Sequence, residues 1–189
     1  HSVLCGGRVY ASHPPKTLDH YFHWYYGSRR EQKLAAERAE TPYHSFLTCQ
    51  FVIPRAIFLS IQFEESIREY GHEDTLFGLE LRDRQIPIKH LDNPLRHLGL
   101  EETQVFLDKS RQAIENLGAI VQQDRRIETR LLDAYQTINN WGLSFPLKTL
   151  GYLSKPAMMK NFHSSRPNLH FFDLYKLTYL IEVMSNRKK

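Results

Sequence analysis

The chain has 189 residues, of which 41% are hydrophobic and 12% aromatic, enough for one domain with a substantial core, or for one domain and a fraction. Twenty-five Lys and Arg stand against 21 Asp and Glu, giving a formal net charge of +4. This modest excess suits phosphates, nucleotides or an anionic membrane surface, and no nucleic-acid partner is expected from it. No apolar run approaches the roughly 20 residues that span a bilayer.

The cysteines and the first residues bear on the location of the protein. Cys5 and Cys49 fit no metal-ligand spacing and no dense disulfide framework, which indicates a reducing compartment. The chain opens on "HSVLCGG", without an initiator methionine or a signal peptide. We therefore expect a cytoplasmic protein, with membrane association as an option, and an internal or C-terminal piece of a longer chain.

Short strands are predicted in the first half of the chain. The stretch "SVLCGGRVY" indicates a strand, a glycine turn and a second strand. After the aromatic-rich "LDHYFHWYYG", residues 28–40 are charged and predict a solvated helix or a mobile loop. The stretch "SFLTCQFVIPR" is typical of a buried strand ended by Pro54. Two more short strands are predicted in "IPIKHL" and "NPLRHLG".

Helices are predicted by apolar residues that recur at helical spacing. A short helix is expected in "RAIFLSI", and longer ones over residues 72–84, from Thr103 onward, over 127–138 and over 169–184. Strands with helices come first, and helices alone come last. This order predicts a mixed α/β part that carries a helical C-terminal extension.

Two acids at the start of a predicted helix, Glu73 and Asp74 in "YGHEDTLFG", have two interpretations. Acids in a first helical turn are stabilised by the helix dipole by roughly 0.3–1 kcal/mol each, which needs no function. Alternatively, a carboxylate at a helix N-terminus in a cleft can accept a proton from an attacking hydroxyl. Gly71 would then allow a positive φ or the close approach of a ligand.

The other candidate residues each have a structural alternative. His97 is interesting only beside a carboxylate cluster, and the chain contains no Asp-x-Asp. Trp24 and its aromatic neighbours fit sugar stacking or core packing. Arg29 and Arg30 fit phosphate binding or a solvated face. The C-terminal "FFDLYKLTYLIEVMSNRKK" fits an anionic membrane surface or packing on the domain.

Five segments, taken in order, resemble the C-terminal half of family-two bacterial glycosyltransferases: "CGGRVY", "HWYYGSRRE", "PYHSFLTCQFVIPR", "FEESIREYGHEDTLFGLEL" and "IKHLDNPLRHLGLE". The Gly-x-Glu-Asp element is also similar to the galactosyltransferase C-terminal domain. The resemblance covers about Ser2 to Leu117 and, more loosely, the helical tail. Its most specific element is the acidic turn, the Gly-x-Glu-Asp and the helix that follows.

The resemblance implies the C-terminal part of a GT-A (Rossmann-like) α/β fold, with residues 1–117 as the acceptor-side half and 118–189 as a helical extension. It implies inverting transfer of a sugar from a nucleotide-sugar donor to a glycan or lipid-linked acceptor, in cell-surface polysaccharide synthesis. The divalent metal, Mn²⁺ or Mg²⁺, is expected only with a donor-binding half that carries Asp-x-Asp.

The resemblance also implies roles for individual residues. Asp74 would be the catalytic base, Glu73 would orient the acceptor or the base, and His97 would approach the metal or the diphosphate. The implied substrate-binding residues are Gly6, Gly7, Trp24, Arg29, Arg30, Gly71 and His72.

Departures from the family pattern limit what this chain is expected to do alone. Gln50 replaces the usual Asn, the acidic turn reads "FEE", and Asp-x-Asp is missing, so the isolated chain is expected to be inactive. A half sheet would expose edges that favour oligomers, with "SVLCGG" and "SFLTCQFVI" as the expected edge strands. The alternatives are a non-catalytic interaction or membrane-docking module, and a metal-dependent hydrolase using Glu73, Asp74 and His97.

Overall fold

The computed structural model describes residues 2–61, 71–123 and 125–186. The chain divides into two compact units. The N-terminal unit comprises His1–Pro14, Trp24–Arg68 and His72–Leu100, and the helical unit comprises Pro15–His23, Glu69–Gly71 and Glu101–Lys189. The acidic turn "FEE" of the resemblance lies outside the described residues.

The strands of the N-terminal unit are short and form two small sheets. They are β1 (Val3–Cys5), β2 (Arg8–Val9), β3 (Phe51–Val52), β4 (Ile88–His90) and β5 (Leu95–Arg96). The first sheet has the order β3-β1-β4, in which β1 is antiparallel to β3 and parallel to β4. The second pairs β2 with β5 in parallel. The class is therefore mixed α/β, as predicted.

The strand predictions need two corrections. The strand expected across "SFLTCQFVI" is limited to β3, because turns precede it. This strand is also not fully buried, since Val52 is 65% exposed. The strand "SVLC" is not an edge, because β1 is hydrogen-bonded on both sides by β3 and β4. The edges of this sheet among the described residues are β3 and β4.

Four α-helices occur among the described residues before position 84, which are 2–61 and 71–83. They are α1 (Tyr21–Tyr26), α2 (Ala35–Glu40), α3 (Arg55–Ser60) and α4 (Glu73–Asp83), and a π-helical turn, Gly27–Glu31, follows α1. The predictions of α3 and α4 are confirmed. The core of the N-terminal unit lies where β1 meets α4 and the turn before β3, and its buried members are Val3, Cys5, Phe46, Ile61, Phe77 and Leu81.

The helical unit contains α5 (Thr103–Gln122), α6 (Arg130–Asn140), α7 (Ser144–Phe162) and α8 (Leu169–Asn186). Its centre is a cluster of phenylalanines: the ring centroids of Phe22 and Phe162 lie 4.9 Å apart, and those of Phe22 and Phe172 lie 5.1 Å apart. Aromatic pairs at these separations add to the burial of apolar area. The predicted division at residue 117 falls inside α5, whereas the two units separate near Leu100.

Helix α7 is absent from the predictions, and α8 packs on the unit. The close approach of α7 and α8 requires Gly151, since a Cβ there would lie 2.5 Å from the Cβ of Thr178. The apolar residues of α8, among them Leu180 and Ile181, are buried, so the packing alternative for the C-terminal helix is confirmed. None of the helices in the described part of the chain is both long and apolar enough to cross a membrane.

Candidate functional site

Asp74 lies in the first turn of α4, as the resemblance requires, and its carboxylate faces its own unit. The side chain is half-buried, and Oδ1 accepts a hydrogen bond from the backbone N–H of Thr48 at 3.2 Å. Thr48 belongs to the turn that precedes β3. The structure therefore brings together two of the segments that carry the resemblance, "SFLTCQF" and "GHED".

The pKa of Asp74 is shifted upward, opposite to the direction that the helix dipole alone would give. Burial raises the pKa of the Asp74 carboxyl above its usual value, and the neighbouring charge of Glu73 raises it further. The hydrogen bond from Thr48 and the positive charge of Arg8 oppose this rise in the pKa. The result is a carboxylate that holds a proton more readily than an exposed one.

The residues around Asp74 in sequence form a tight helix start. Gly71 has φ of 109° and His72 has φ of 75°, so the chain turns through two consecutive left-handed residues into α4. The carbonyl of His72 accepts from the N–H of Leu76 at 2.9 Å. The predicted positive φ of Gly71 is confirmed. The space beside Gly71 is filled, because a Cβ there would lie 2.7 Å from the Cβ of Ala113. Glu73 is exposed.

Polar contacts join Arg8, Glu31 and Tyr10 beside His97 within the N-terminal unit. The positive charge of Arg8 opposes the rise in the pKa of Asp74. Arg8 donates from Nη1 to Glu31 Oε2 at 2.8 Å. The same Glu31 oxygen accepts the hydroxyl hydrogen of Tyr10 in a short hydrogen bond. The Tyr10 ring lies 5.2 Å from the His97 ring. Burial and Glu31 both raise the pKa of Tyr10, so this phenol stays protonated.

The strand pairing explains why these side chains meet. In the parallel pair β2–β5, Arg8 is opposite Leu95 and Val9 is opposite Arg96. The N–H of His97 continues the ladder to the carbonyl of Val9 at 2.8 Å. Tyr10 and His97 therefore stand together at the carboxyl ends of two parallel strands, where α/β folds commonly bind ligands.

The glycine pair between β1 and β2 packs tightly against its own unit. A Cβ on Gly6 would lie 2.1 Å from Gln50 Oε1, and a Cβ on Gly7 would lie 2.9 Å from Nη2 of Arg38. The two glycines follow β1 as predicted, but they form neither a turn nor a bend. The space that these glycines leave is occupied by protein side chains, so the predicted approach of a substrate there has no open room in this structure.

A buried arginine, Arg38 of α2, joins the ends of the strands. Its side chain is only 3% exposed, and its guanidinium donates to the carbonyls of Gly6 at 2.5 Å, Leu91 at 2.8 Å and Cys5 at 3.3 Å. Cys5 is the last residue of β1, and Gly6 and Leu91 directly follow the parallel strands β1 and β4. Arg38 therefore fixes the loop geometry beside the site, although residues 28–40 were predicted to be solvated.

His90, at the end of β4, has a defined tautomer. Arg38 can only donate, so His90 Nδ1 accepts from its Nη1 at 2.9 Å, and the ring proton is on Nε2. Nε2 donates to the carbonyl of Pro42 at 3.0 Å. Burial and, to a lesser degree, the Arg38 charge lower the pKa of His90, against the opposing effect of the hydrogen bond to Pro42. His90 thus supports the Arg38 network as a neutral ring.

The aromatic candidate Trp24 of α1 is buried, whereas the basic candidates of the π-helical turn are exposed. Trp24 is 8% exposed and donates from Nε1 to the carbonyl of Ala11 at 2.8 Å, so little of its ring is open to a sugar. Arg29 is exposed, with its guanidinium carbon 3.8 Å from the centroid of the Tyr25 ring. Arg30 is also exposed. The two arginines remain accessible cations on the π-helical turn.

The predicted metal contact was assigned to His97 alone on this chain. Within residues 2–61, 71–123 and 125–186, no three His, Cys, Asp or Glu side chains form a group that could hold a metal ion. These residues do not fit a resident metal site, and no chemistry is assigned below to a metal on them.

Comparisons with protein families, with curated proteins and with solved structures find no match to this chain. The site therefore rests on its geometry and on the sequence resemblance.

Four residues of the site were not singled out by the sequence: Arg8, Tyr10, Glu31 and Arg38. Their partners are separated from them by 21 to 53 positions along the chain, so no local pattern marks them. Gly27 offers one signal for Tyr10, because a Cβ on Gly27 would lie 2.1 Å from the Tyr10 ring. A glycine that directly follows an aromatic run is a reasonable place to expect such packing.

Proposed function

We propose that residues 1–117 form the acceptor-side half of an inverting, GT-A-type glycosyltransferase, with Asp74 as the catalytic base. The observation that supports this most is the placement of Asp74: a half-buried carboxylate at a helix start, held by the N–H of Thr48 and within the field of Arg8. The acceptor would be the hydroxyl of a glycan or a lipid-linked sugar.

The reaction requires this half of the enzyme to remove the proton of the acceptor hydroxyl. A sugar hydroxyl holds its proton far above pH 7, so the proton must leave as the new glycosidic bond forms. A positioned carboxylate that takes this proton contributes roughly 10²–10⁴-fold to the rate. The raised pKa of Asp74 makes it a stronger proton acceptor, and the hydrogen bond from Thr48 keeps one carboxylate oxygen in place.

The nucleoside diphosphate that leaves must also be stabilised, because it gains negative charge as the bond breaks. On this chain Arg29 and Arg30 are the exposed cations that the resemblance assigns to the diphosphate. The donor itself would be bound by a separate half with Asp-x-Asp. The proposal places the reaction in the cytoplasm, where thiols such as Cys5 and Cys49 stay reduced.

The test compares the chain alone with the chain joined to a donor-binding half. The isolated 189 residues should bind glycan acceptors on an array and show no transfer. In the complete enzyme, Asp74→Asn should keep donor binding and lower kcat by about 10²–10⁴-fold. Asp83→Asn, at the exposed end of the same helix, is the matched control and should leave kcat unchanged.

Two results would contradict the proposal. Retained turnover in Asp74→Asn would remove Asp74 from the role of base. Turnover by the isolated chain would show that it is not a half enzyme.

A further inference from the structure

Large apolar side chains are exposed along one side of α7. Phe145 and Tyr152 are each 79% exposed, and Leu153 is 70% exposed. These three residues follow the i, i+7, i+8 spacing of one helix face, and the exposed Thr149 and Pro156 extend it. This set of five residues is called the α7 face.

The opposite side of α7 is also apolar and is already covered. Gly151, Met158 and Phe162 are buried within the helical unit. A helix that is apolar on opposite sides needs a cover on both, and clustered exposed apolar side chains mark interaction sites. The exposure continues into the preceding turn, where Trp141 is 68% exposed.

The stretch of sequence that contains α7 is basic. Residues 134–172 contain no Asp or Glu and carry four cations, Lys148, Lys155, Lys160 and Arg166. Lys148 and Lys155 lie seven positions apart and therefore border the same edge of the face. A surface that combines exposed aromatic rings with lysines complements negative charge above an apolar layer.

A groove between α7 and α8 adjoins the α7 face. It has a volume of about 440 Å³, and its lining includes Phe145 and Tyr152. Lys148 and Lys155 also line it, against the single acid Glu182. The groove thus shares both the aromatic rings and the positive balance of the face.

We propose that the α7 face binds the surface of an anionic lipid bilayer. Phe145, Tyr152 and Leu153 would enter the boundary between headgroups and acyl chains, and the lysines would contact lipid phosphates. Trp and Tyr favour this boundary because their rings are apolar with a polar edge. A protein partner would also explain the apolar side chains, but the excess of lysines over the one acid of the groove, Glu182, favours lipid. The inference does not depend on the glycosyltransferase proposal.

The experiment measures binding of the full chain to vesicles. Phosphatidylcholine vesicles that contain phosphatidylglycerol should sediment the protein, and phosphatidylcholine alone should bind it far less. Binding should weaken as salt is added, because salt screens the lysine–phosphate attraction. Fluorescence of the exposed Trp141 should shift to the blue on binding, whereas that of the buried Trp24 has no reason to change.

Two double variants separate the apolar and the charged contributions. Phe145→Ser with Tyr152→Ser should lower the vesicle partition coefficient at least tenfold. Lys148→Gln with Lys155→Gln should lower it by about fivefold for each lysine. All four side chains line the groove at the surface of the helical unit, so we expect both double variants to fold. Leu98→Ser, at an 82% exposed residue of the N-terminal unit, is the control and should bind like the unmodified chain.

Three outcomes would overturn the proposal. They are no binding to anionic vesicles, equal binding to neutral ones, and binding that both double variants retain. Self-association that the Phe145→Ser, Tyr152→Ser variant abolishes, without vesicle binding, would instead make the face an interface between copies.

Discussion

The N-terminal unit combines an apolar core with a buried arginine, whereas the helical unit is centred on packed phenylalanines. Strands of two or three residues supply few ladder hydrogen bonds, and Arg38 compensates by donating to carbonyls of three separate residues. The helices of the second unit satisfy their own backbones, so apolar packing of Phe22, Phe162 and Phe172 can dominate there. The unit with the candidate site therefore adds the directional hydrogen bonds of Arg38 to its apolar core.

The largest effect is expected from the phenylalanine cluster. Phe172→Ala, at a side chain 1% exposed, should lower the free energy of unfolding of the helical unit by about 3–5 kcal/mol. Hydrogen exchange should accelerate in α5, α7 and α8 while β1 and β4 keep their protection. Phe171→Ala, at the neighbouring residue that is 41% exposed, should change little. Equal loss of protection in both units would contradict their separate cores.

The next effect concerns the buried arginine. Arg38→Leu should lower the free energy of unfolding of the N-terminal unit by roughly 2–4 kcal/mol, because buried carbonyls lose their charged donor. Arg38→Lys should recover only part of this loss, since an ammonium lacks the planar fork of a guanidinium. Chemical denaturation monitored by hydrogen exchange measures both variants. Arg96→Leu, at an exposed arginine of β5, is the control, and a full rescue by lysine would contradict the proposed geometry.

The smallest effect has the opposite sign. The folded-state pKa of Asp74 is raised, so the folded chain holds a proton there at pH values where the unfolded chain has lost it, and stability falls as pH rises through that window. Asp74→Asn should therefore raise the melting temperature at pH 7, because the asparagine cannot lose a proton there. The gain should disappear in acid, below the pKa of an unfolded Asp. A gain that persists at low pH would show that the carboxylate charge is not its cause.

Some of the fold was accessible from the sequence because its signals are local. Periodicity predicted α4, α5 and α8, and the strand–glycine–strand pattern predicted β1 and β2. Helix α7 was missed because Pro146 and Pro156 punctuate it. Pro146 falls in the first turn, where its missing N–H costs nothing, and Pro156 sits on the exposed face of a helix held by packing of its other side.

The candidate site was accessible only at Asp74 and His97, whose motifs are read along the chain. Arg8 and Tyr10 both contact Glu31 of the π-helical turn, which lies 23 and 21 positions away from them along the chain, so no local pattern predicts these contacts. Arg38 shows the same limit more clearly. Its neighbours in α2 are Ala and Glu, a composition typical of a solvated helix, and only the fold brings the carbonyls of Gly6 and Leu91 to it.

The placement of the two thiols allows opening of the N-terminal unit to be measured by thiol labelling. Cys49 is exposed, whereas Cys5 is buried in β1, where its Sγ faces the carbonyl of Leu47 at 3.7 Å and burial raises the pKa of the thiol. A thiol reagent should therefore modify Cys49 at once and Cys5 only when the N-terminal unit opens. The helical unit contains no cysteine, so the slow phase of labelling counts openings of the unit that carries Asp74 and no others.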